Sequence, residues 1–256
     1  MIKLKDIKSL YPDIQGFDRS VLREYLQYKI LDIIFKTDIG SKLSFLGGTA
    51  IKICYGSLRF SEDLDFDNFG LTEKEFESLS AVIKRELALE GYEVEVKNVF
   101  KGAFRCYIKI PKLLFENQLA DMEGEKITIQ LDTAPHGVAY NPDKFLLQKF
   151  DVFRMIRLTP IDIILSQKVA AILGRKRAKG RDFYDVVYLM GQTDFNYDYL
   201  QKKLKIKNES ELKKILLRAA PDNMKDLLRD VAPFLLRKDD QNTIILFKEY
   251  IEQKLK

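Results

Sequence analysis

The stretch Phe45–Phe66 reads FLGGTAIKICYGSLRFSEDLDF, and its two halves carry different signals. Ser44 to Leu46 predicts a short strand running into Gly47-Gly48-Thr49, with a short helix expected from Thr49 to near Gly56. The glycines allow the backbone to approach a ligand closely, and the amides at the start of the helix, near Thr49, make an anion site suited to the outer phosphates of a nucleotide. Downstream, Leu64–Phe66 alternates as a strand, so Asp63 and Asp65 project from one face while Leu64 and Phe66 point into a core. Paired carboxylates of this kind clamp a hard cation, and two-metal phosphoryl-transfer sites use them to hold ions roughly 3.5–4 Å apart. Arg59 and Ser61 sit where a cation and a hydroxyl would meet phosphate or metal-bound water. Alone, an Asp-x-Asp pair is more often a polar strand edge, and a Gly-Gly pair an ordinary turn. Their order within 22 residues points to polyphosphate chemistry.

A third carboxylate is needed to complete such a clamp, and Asp132 is the candidate, closing the alternating strand Ile127–Asp132. The nearby His136 lies in an Asp-Thr-Ala-Pro-His turn and reads as a loop residue rather than a base. Around these points the chain reads as mixed α and β up to about residue 145. Helix is expected through the first forty residues with Asp18 as cap, and again over 72–89, where Thr72 and Glu75 stand in capping-box spacing. Strands are expected over 92–99, 104–110 and 126–132. After Pro142 the pattern turns to helices, at 159–174, 181–190, 208–219, 223–230 and 243–256, with no comparable strand signal. The expected organisation is a core at 1–150 and a helical domain at 151–256, an α+β fold.

Composition narrows the chemistry further. Of 256 residues 46% are apolar and 32% charged, which describes an ordinary folded protein. The formal charge of +5 is uneven: residues 1–150 hold 21 Lys/Arg against 23 Asp/Glu, and 151–256 hold 22 against 15. A basic excess suits a polyanionic partner, though many proteins carry one without binding any. Only Cys54, Cys106 and His136 are available as soft or imidazole ligands, too few for a zinc site. Any metal is therefore expected to be Mg2+ or Mn2+ on carboxylates. The opening MIKLKDIKSL has no signal-peptide core and no apolar run spans a membrane, so a cytoplasmic protein with buried thiols is expected.

In the second half, Lys168 lies mid-helix with Arg175 seven residues on, so both would face one side. An ammonium there would neutralise triphosphate charge as it builds, and Asp182 on the next helix would position Lys168 or the nucleotide. The run Gly174–Arg181 holds five cations, readable as a solvated loop or as a phosphate-facing one.

Four motifs in order, Gly47–Ile51, Arg59–Phe66, Lys168–Leu173 and Arg181–Val186, resemble the AbiEii/AbiGii family of nucleotidyltransferase-like toxins of type IV toxin-antitoxin systems, over roughly residues 20–200. The resemblance implies a polymerase-β-like nucleotidyltransferase core, a mixed sheet with helices, followed by a mostly helical C-terminal half. It also implies a Mg-dependent enzyme moving a nucleotide from an NTP to an acceptor hydroxyl, with tRNA acceptor ends as targets in some relatives. A toxin or phage-defence role restrained by an antitoxin goes with it. Carried over, the glycine and hydroxyl motif falls on Gly47, Gly48 and Thr49, the metal pair on Asp63 and Asp65, the lysine on Lys168 and the late aspartate on Asp182. Three other readings compete: a nucleotidyltransferase that modifies a small molecule such as an antibiotic, an inactive nucleotide-binding module, and an Asp-x-Asp glycosyltransferase. Only the last leaves the Gly-Gly-Thr and Lys168–Asp182 elements without a use.

Overall fold

The computed structural model describes residues 3–11 and 14–256, so the Met1-Ile2 part of the N-terminal reading lies outside the described residues. The chain divides into two compact units. The first comprises Met1–Tyr55, Phe60–Gly137 and Pro142–Leu158, and the second Gly56–Arg59, Val138–Asn141 and Thr159–Lys256.

The first unit opens with helices α1 (Leu4–Lys8) and α2 (Asp18–Lys36). The helix α2 is a buried rod: Tyr25, Leu26, Ile30, Leu31 and Ile34 are all enclosed. Asp18 is its first residue rather than its cap, and ion-pairs with Lys8 at 2.5 Å. Then follow β1 (Leu43–Leu46), α3 (Gly47–Tyr55), β2 (Leu64–Asn68), α4 (Glu73–Leu89), β3 (Glu95–Lys101), β4 (Ala103–Ile110), α5 (Leu113–Glu116), β5 (Ile127–Ala134), β6 (Asp143–Lys149) and β7 (Val152–Leu158). The capping box of Thr72 and Glu75 forms at the start of α4.

These strands build one sheet in the order β3-β4-β5-β2-β1-β7-β6. It is mixed: β2 runs parallel to β5 and β1 to β7, the other neighbours being antiparallel. Directly paired residues face the same side. One row across the sheet is therefore Phe104, Thr133, Phe66, Phe45 and Leu158, enclosed at its centre by the rings of Phe45 and Phe66, 5.5 Å apart. The adjacent row is Arg105, Asp132, Asp65 and Leu46, on the opposite face.

The hairpin β6–β7 corrects the expectation that strands end at Pro142. Its inward residues Leu147, Val152, Ile156 and Leu158 are buried in strand alternation, but its outward positions include Leu146, Phe153 and Met155, all exposed. Apolar residues on both faces hide the period of two on which a strand assignment relies. The compact units accordingly change at Leu158/Thr159, and β7 belongs with the sheet.

The second unit is helical: α6 (Ile161–Gly174), α7 (Gly180–Met190), α8 (Tyr197–Leu204), α9 (Glu209–Ala219), α10 (Asn242–Ile245) and α11 (Phe247–Lys254). Residues 224–230 form a 3-10 helix rather than the expected α-helix. Thr159 does not cap α6; its hydroxyl shares a 3.0 Å hydrogen bond with Tyr140. Phe183 and Phe247 meet edge to face at 4.9 Å in the core of this unit. Among the described residues no helix is long and apolar enough to cross a membrane. Cys106 is buried, which pushes its thiol up to about 12, and both cysteines are free.

Candidate active site

The junction of β1 and α3 is made by Gly47. Its φ of +81° is a conformation that an L side chain rarely adopts. A Cβ there would also lie 2.8 Å from both Cβ and Cγ of Asp65. The glycine is thus required twice: once by the turn from strand to helix, and once by the close passage of the Asp65 side chain. The next contact locks the same corner, since the Thr49 hydroxyl donates to the backbone carbonyl of Asp63. Gly47, Gly48 and Thr49 are all buried in this arrangement.

Asp65 stands directly beside Asp132 on the parallel neighbour β5. Asp63 stands one residue before β2, two positions from Asp65. The Asp132 carboxylate is held by Arg105, whose Nε donates to Oδ1 at 3.0 Å, and by Gln130, whose amide donates to Oδ2 at 2.5 Å. Asp67, two residues after Asp65, is buried and accepts from the backbone amides of Asn68 and His136 at 2.9 and 2.8 Å. His136 therefore enters this corner through its main chain. Ser61 is half-buried, and its carbonyl accepts from Gln27 at 3.0 Å, which pins the turn before Asp63 to α2.

The donor chemistry here suits a hard divalent cation: the carboxylates of Asp63 and Asp65 stand two residues apart, with Asp132 in register beside Asp65. Among the described residues no three acidic, His or Cys side chains converge as a ready-made metal cage. Asp132 would have to exchange Arg105 for the ion, a pairing within reach of solvent, as Arg105 is 42% exposed.

The remaining expected residues, Arg59, Lys168, Arg175 and Asp182, fall together in the second unit. Lys168 of α6 lies 2.9 Å from Asp185 and 3.6 Å from Asp182 on α7. Arg175 donates to Asp182 Oδ2 at 2.5 Å. Arg59, expected on the triphosphate, is 2% exposed, and its Nε and Nη2 donate to the two oxygens of Asp185 at 2.6 and 2.5 Å. Burial opposes the ionisation of Asp185, but Arg59 and Lys168 outweigh it and hold the carboxyl below its usual range. The i, i+3 spacing of Asp182 and Asp185 puts both on one face of α7, but the sequence gives a role to Asp182 alone, and the structure adds Asp185 as the partner of Arg59 and Lys168.

A family model described as "Nucleotidyl transferase AbiEii toxin, Type IV TA system" matches residues 29–252. No curated protein matches the sequence significantly. Among solved structures, the chain is similar to JHP933 from Helicobacter pylori, with a TM-score of 0.59 and 18% identity over 92% of this chain and 91% of that one. It is also similar to MenT4, the nucleotidyltransferase toxin Rv2826c from Mycobacterium tuberculosis H37Rv, with a TM-score of 0.61 and 13% identity over 98% and 90% of the two chains. At such identities the likeness is one of fold.

Proposed function

We propose, from the premise that this chain belongs to the AbiEii family of nucleotidyltransferase toxins, that it transfers a nucleotide from an NTP to a hydroxyl of RNA, at the tRNA acceptor end. That it is a nucleotidyltransferase follows from the family; the metal, the acceptor and the residue roles are our reading. The observation that carries them is the pairing of Asp65 with Asp132 beside the Gly47 turn.

In this reading Asp63 and Asp65, joined by Asp132, hold Mg2+ or Mn2+. When bound, such an ion supplies charge neutralisation at the phosphates and acidifies the attacking hydroxyl. The turn at Gly47-Gly48 directs the first amides of α3 towards the phosphates. Thr49 fixes that helix start to the Asp63 backbone, so the amides and the carboxylates move as one piece. Lys168 supplies a positive charge against that building on the departing pyrophosphate. Arg175 holds Asp182 beside Lys168, and Arg59 takes no direct share in binding the nucleotide because its guanidinium is enclosed with Asp185. The biological consequence is growth inhibition through damaged tRNA, relieved by an antitoxin, as befits a phage-defence effector.

The test is to incubate the purified chain with each labelled NTP and either total RNA or a metabolite pool, with Mg2+, Mn2+ or EDTA. Label should enter RNA 3′ ends, only with a divalent ion, and be lost in Asp63→Asn and Asp65→Asn together with toxicity. Label entering metabolites alone, or toxicity surviving either substitution, overturns the proposal.

A further inference from the structure

The buried charges of the second unit divide their work unequally. Lys168 has two acidic neighbours, yet only Asp185, at 2.9 Å, is within hydrogen-bond distance. Asp182 is 3.6 Å away, its Oδ2 is taken by Arg175, and its buried Oδ1 has no hydrogen-bond partner. A lysine side chain is a flexible four-carbon stem with a point charge at its end, so its ammonium stands wherever the nearest fixed acceptor holds it. Asp185 is such an acceptor. It is fully buried, and the planar fork of Arg59 grips both of its oxygens, leaving little freedom to rotate.

Arg59 is itself anchored. Its residue bridges to Leu235 in antiparallel fashion, and the neighbouring Leu58 carbonyl accepts from the Leu236 amide at 2.9 Å. The grip thus passes from a strand-like bridge to Arg59, from Arg59 to Asp185, and from Asp185 to Lys168.

We infer that Asp185 is a positioning residue that fixes the Lys168 ammonium for nucleotidyl transfer, and that Arg59 serves Asp185 rather than the nucleotide. The inference rests on the reading of Lys168 given above. It reassigns two residues: the positioning role falls to Asp185, and Asp182 keeps Oδ1, which accepts no hydrogen bond, for the chemistry. Among the described residues Lys168 ion-pairs with these two carboxylates alone, both on α7; α8 and α9, which also pack on α6, add no further ion pair to it.

The experiment uses the whole chain in the parent form and as Asp185→Asn, Asp185→Glu, Lys168→Met and the double variant Arg59→Gln/Asp185→Asn. The double variant replaces the buried ion pair by a neutral hydrogen-bonding pair, which guards against misfolding from an unpaired guanidinium. Competitive acetylation with acetic anhydride over pH 6–11, read by mass spectrometry at Lys168, follows the ammonium directly. Loss of Asp185 removes the nearest counter-charge while the lysine stays enclosed. Its acetylation at a fixed pH should therefore rise in both Asn-containing forms and return to the parent level in Asp185→Glu. The transfer rate, kcat, should drop about 10²-fold with KM for NTP nearly unchanged. Lys168 reacting as in the parent, with kcat retained in a folded Asn variant, overturns the inference. If Lys168→Met transfers like the parent, the functional reading of Lys168 fails and the inference fails with it. The acetylation curve then still tells whether Asp185 holds the ammonium.

Discussion

Gly47→Ala isolates the corner on which the catalytic reading depends. Two costs add. A non-glycine residue held at φ +81° carries about 1–3 kcal/mol of strain. The new methyl would lie 2.8 Å from two carbons of Asp65, where carbons prefer about 3.5–4 Å, and overpacking of this kind costs about 1–3 kcal/mol. The expected loss is about 2–6 kcal/mol, or roughly 4–24 °C in Tm at about 2–4 °C per kcal/mol. Relief of the contact must come from the Asp65 side chain, displaced by up to about 1 Å, and misplacement on that scale costs about 10²-fold in rate. Activity should therefore fall further than stability alone accounts for, when both are measured well below Tm. Thermal melts and nucleotide transfer at saturating NTP read the two quantities. The control is Gly124→Ala, where an added Cβ meets nothing within 4 Å. A Gly47→Ala protein that melts and transfers like the parent would refute the close approach of this turn to Asp65.

Three further substitutions probe the same unit. In the proposed metal reading Arg105 would compete with the ion for Asp132, so Arg105→Ala should lower the Mg2+ concentration giving half-maximal rate, whereas Asp132→Asn should raise it, by about tenfold or more; a Mg2+ titration of transfer rate checks both. At the start of α4, Lys42 and the Thr72 cap hold the Glu75 carboxyl down to about 2. Its contribution is present above the ordinary glutamate range and is lost as pH falls from about 4.5 towards 2. Thr72→Ala should cost about 1 kcal/mol at neutral pH and flatten the acid limb of the stability curve in that window. Denaturant melts at pH 2–7 would show an unaltered acid limb if the capping box carried none of it.

The parts of the fold legible in the sequence were those in which one local rule acted alone. The buried alternation of β5, the capping box of α4 and the turn between β1 and α3 each follow from residue type at fixed spacing, and the structure contains all three. The hairpin β6–β7 was not legible, because Phe153, Met155 and Leu146 place apolar groups on the exposed face and cancel the alternation. The same limit applies to the site. Asp63 and Asp65 were readable as an alternating pair, whereas the pairing of Asp65 with Asp132, the partners of Asp132 and the engagement of Arg59 with Asp185, 126 residues apart, depend on which chain segments meet. Arg59 shows the difference most clearly. Four residues before Asp63 it looks like a phosphate ligand, and only its enclosure reveals that its charge is already spoken for.

That enclosure also changes how the uneven charge of the chain should be understood. Of the five cations in the run 175–181, Arg175 is bound to Asp182, so part of the basic excess is neutralised inside the unit and cannot attract a polyanion at long range. Lys176 and Arg177 are exposed and make no ion pair among the described residues, which leaves them to act at a distance. If RNA is the acceptor, each phosphate that they neutralise releases counterions and contributes about −0.7 to the slope of log affinity against log salt for a single strand. Lys176→Gln/Arg177→Gln should accordingly make that slope shallower by about 1.4, weakening binding at low salt and hardly changing it at high salt. Filter binding of a tRNA between about 50 and 200 mM KCl measures it. Arg175→Gln in the same assay should leave the slope nearly unchanged, because its charge is already compensated by Asp182. Equal effects from all three positions would place the whole run on the nucleic acid and undo the distinction drawn from the Arg175–Asp182 pair.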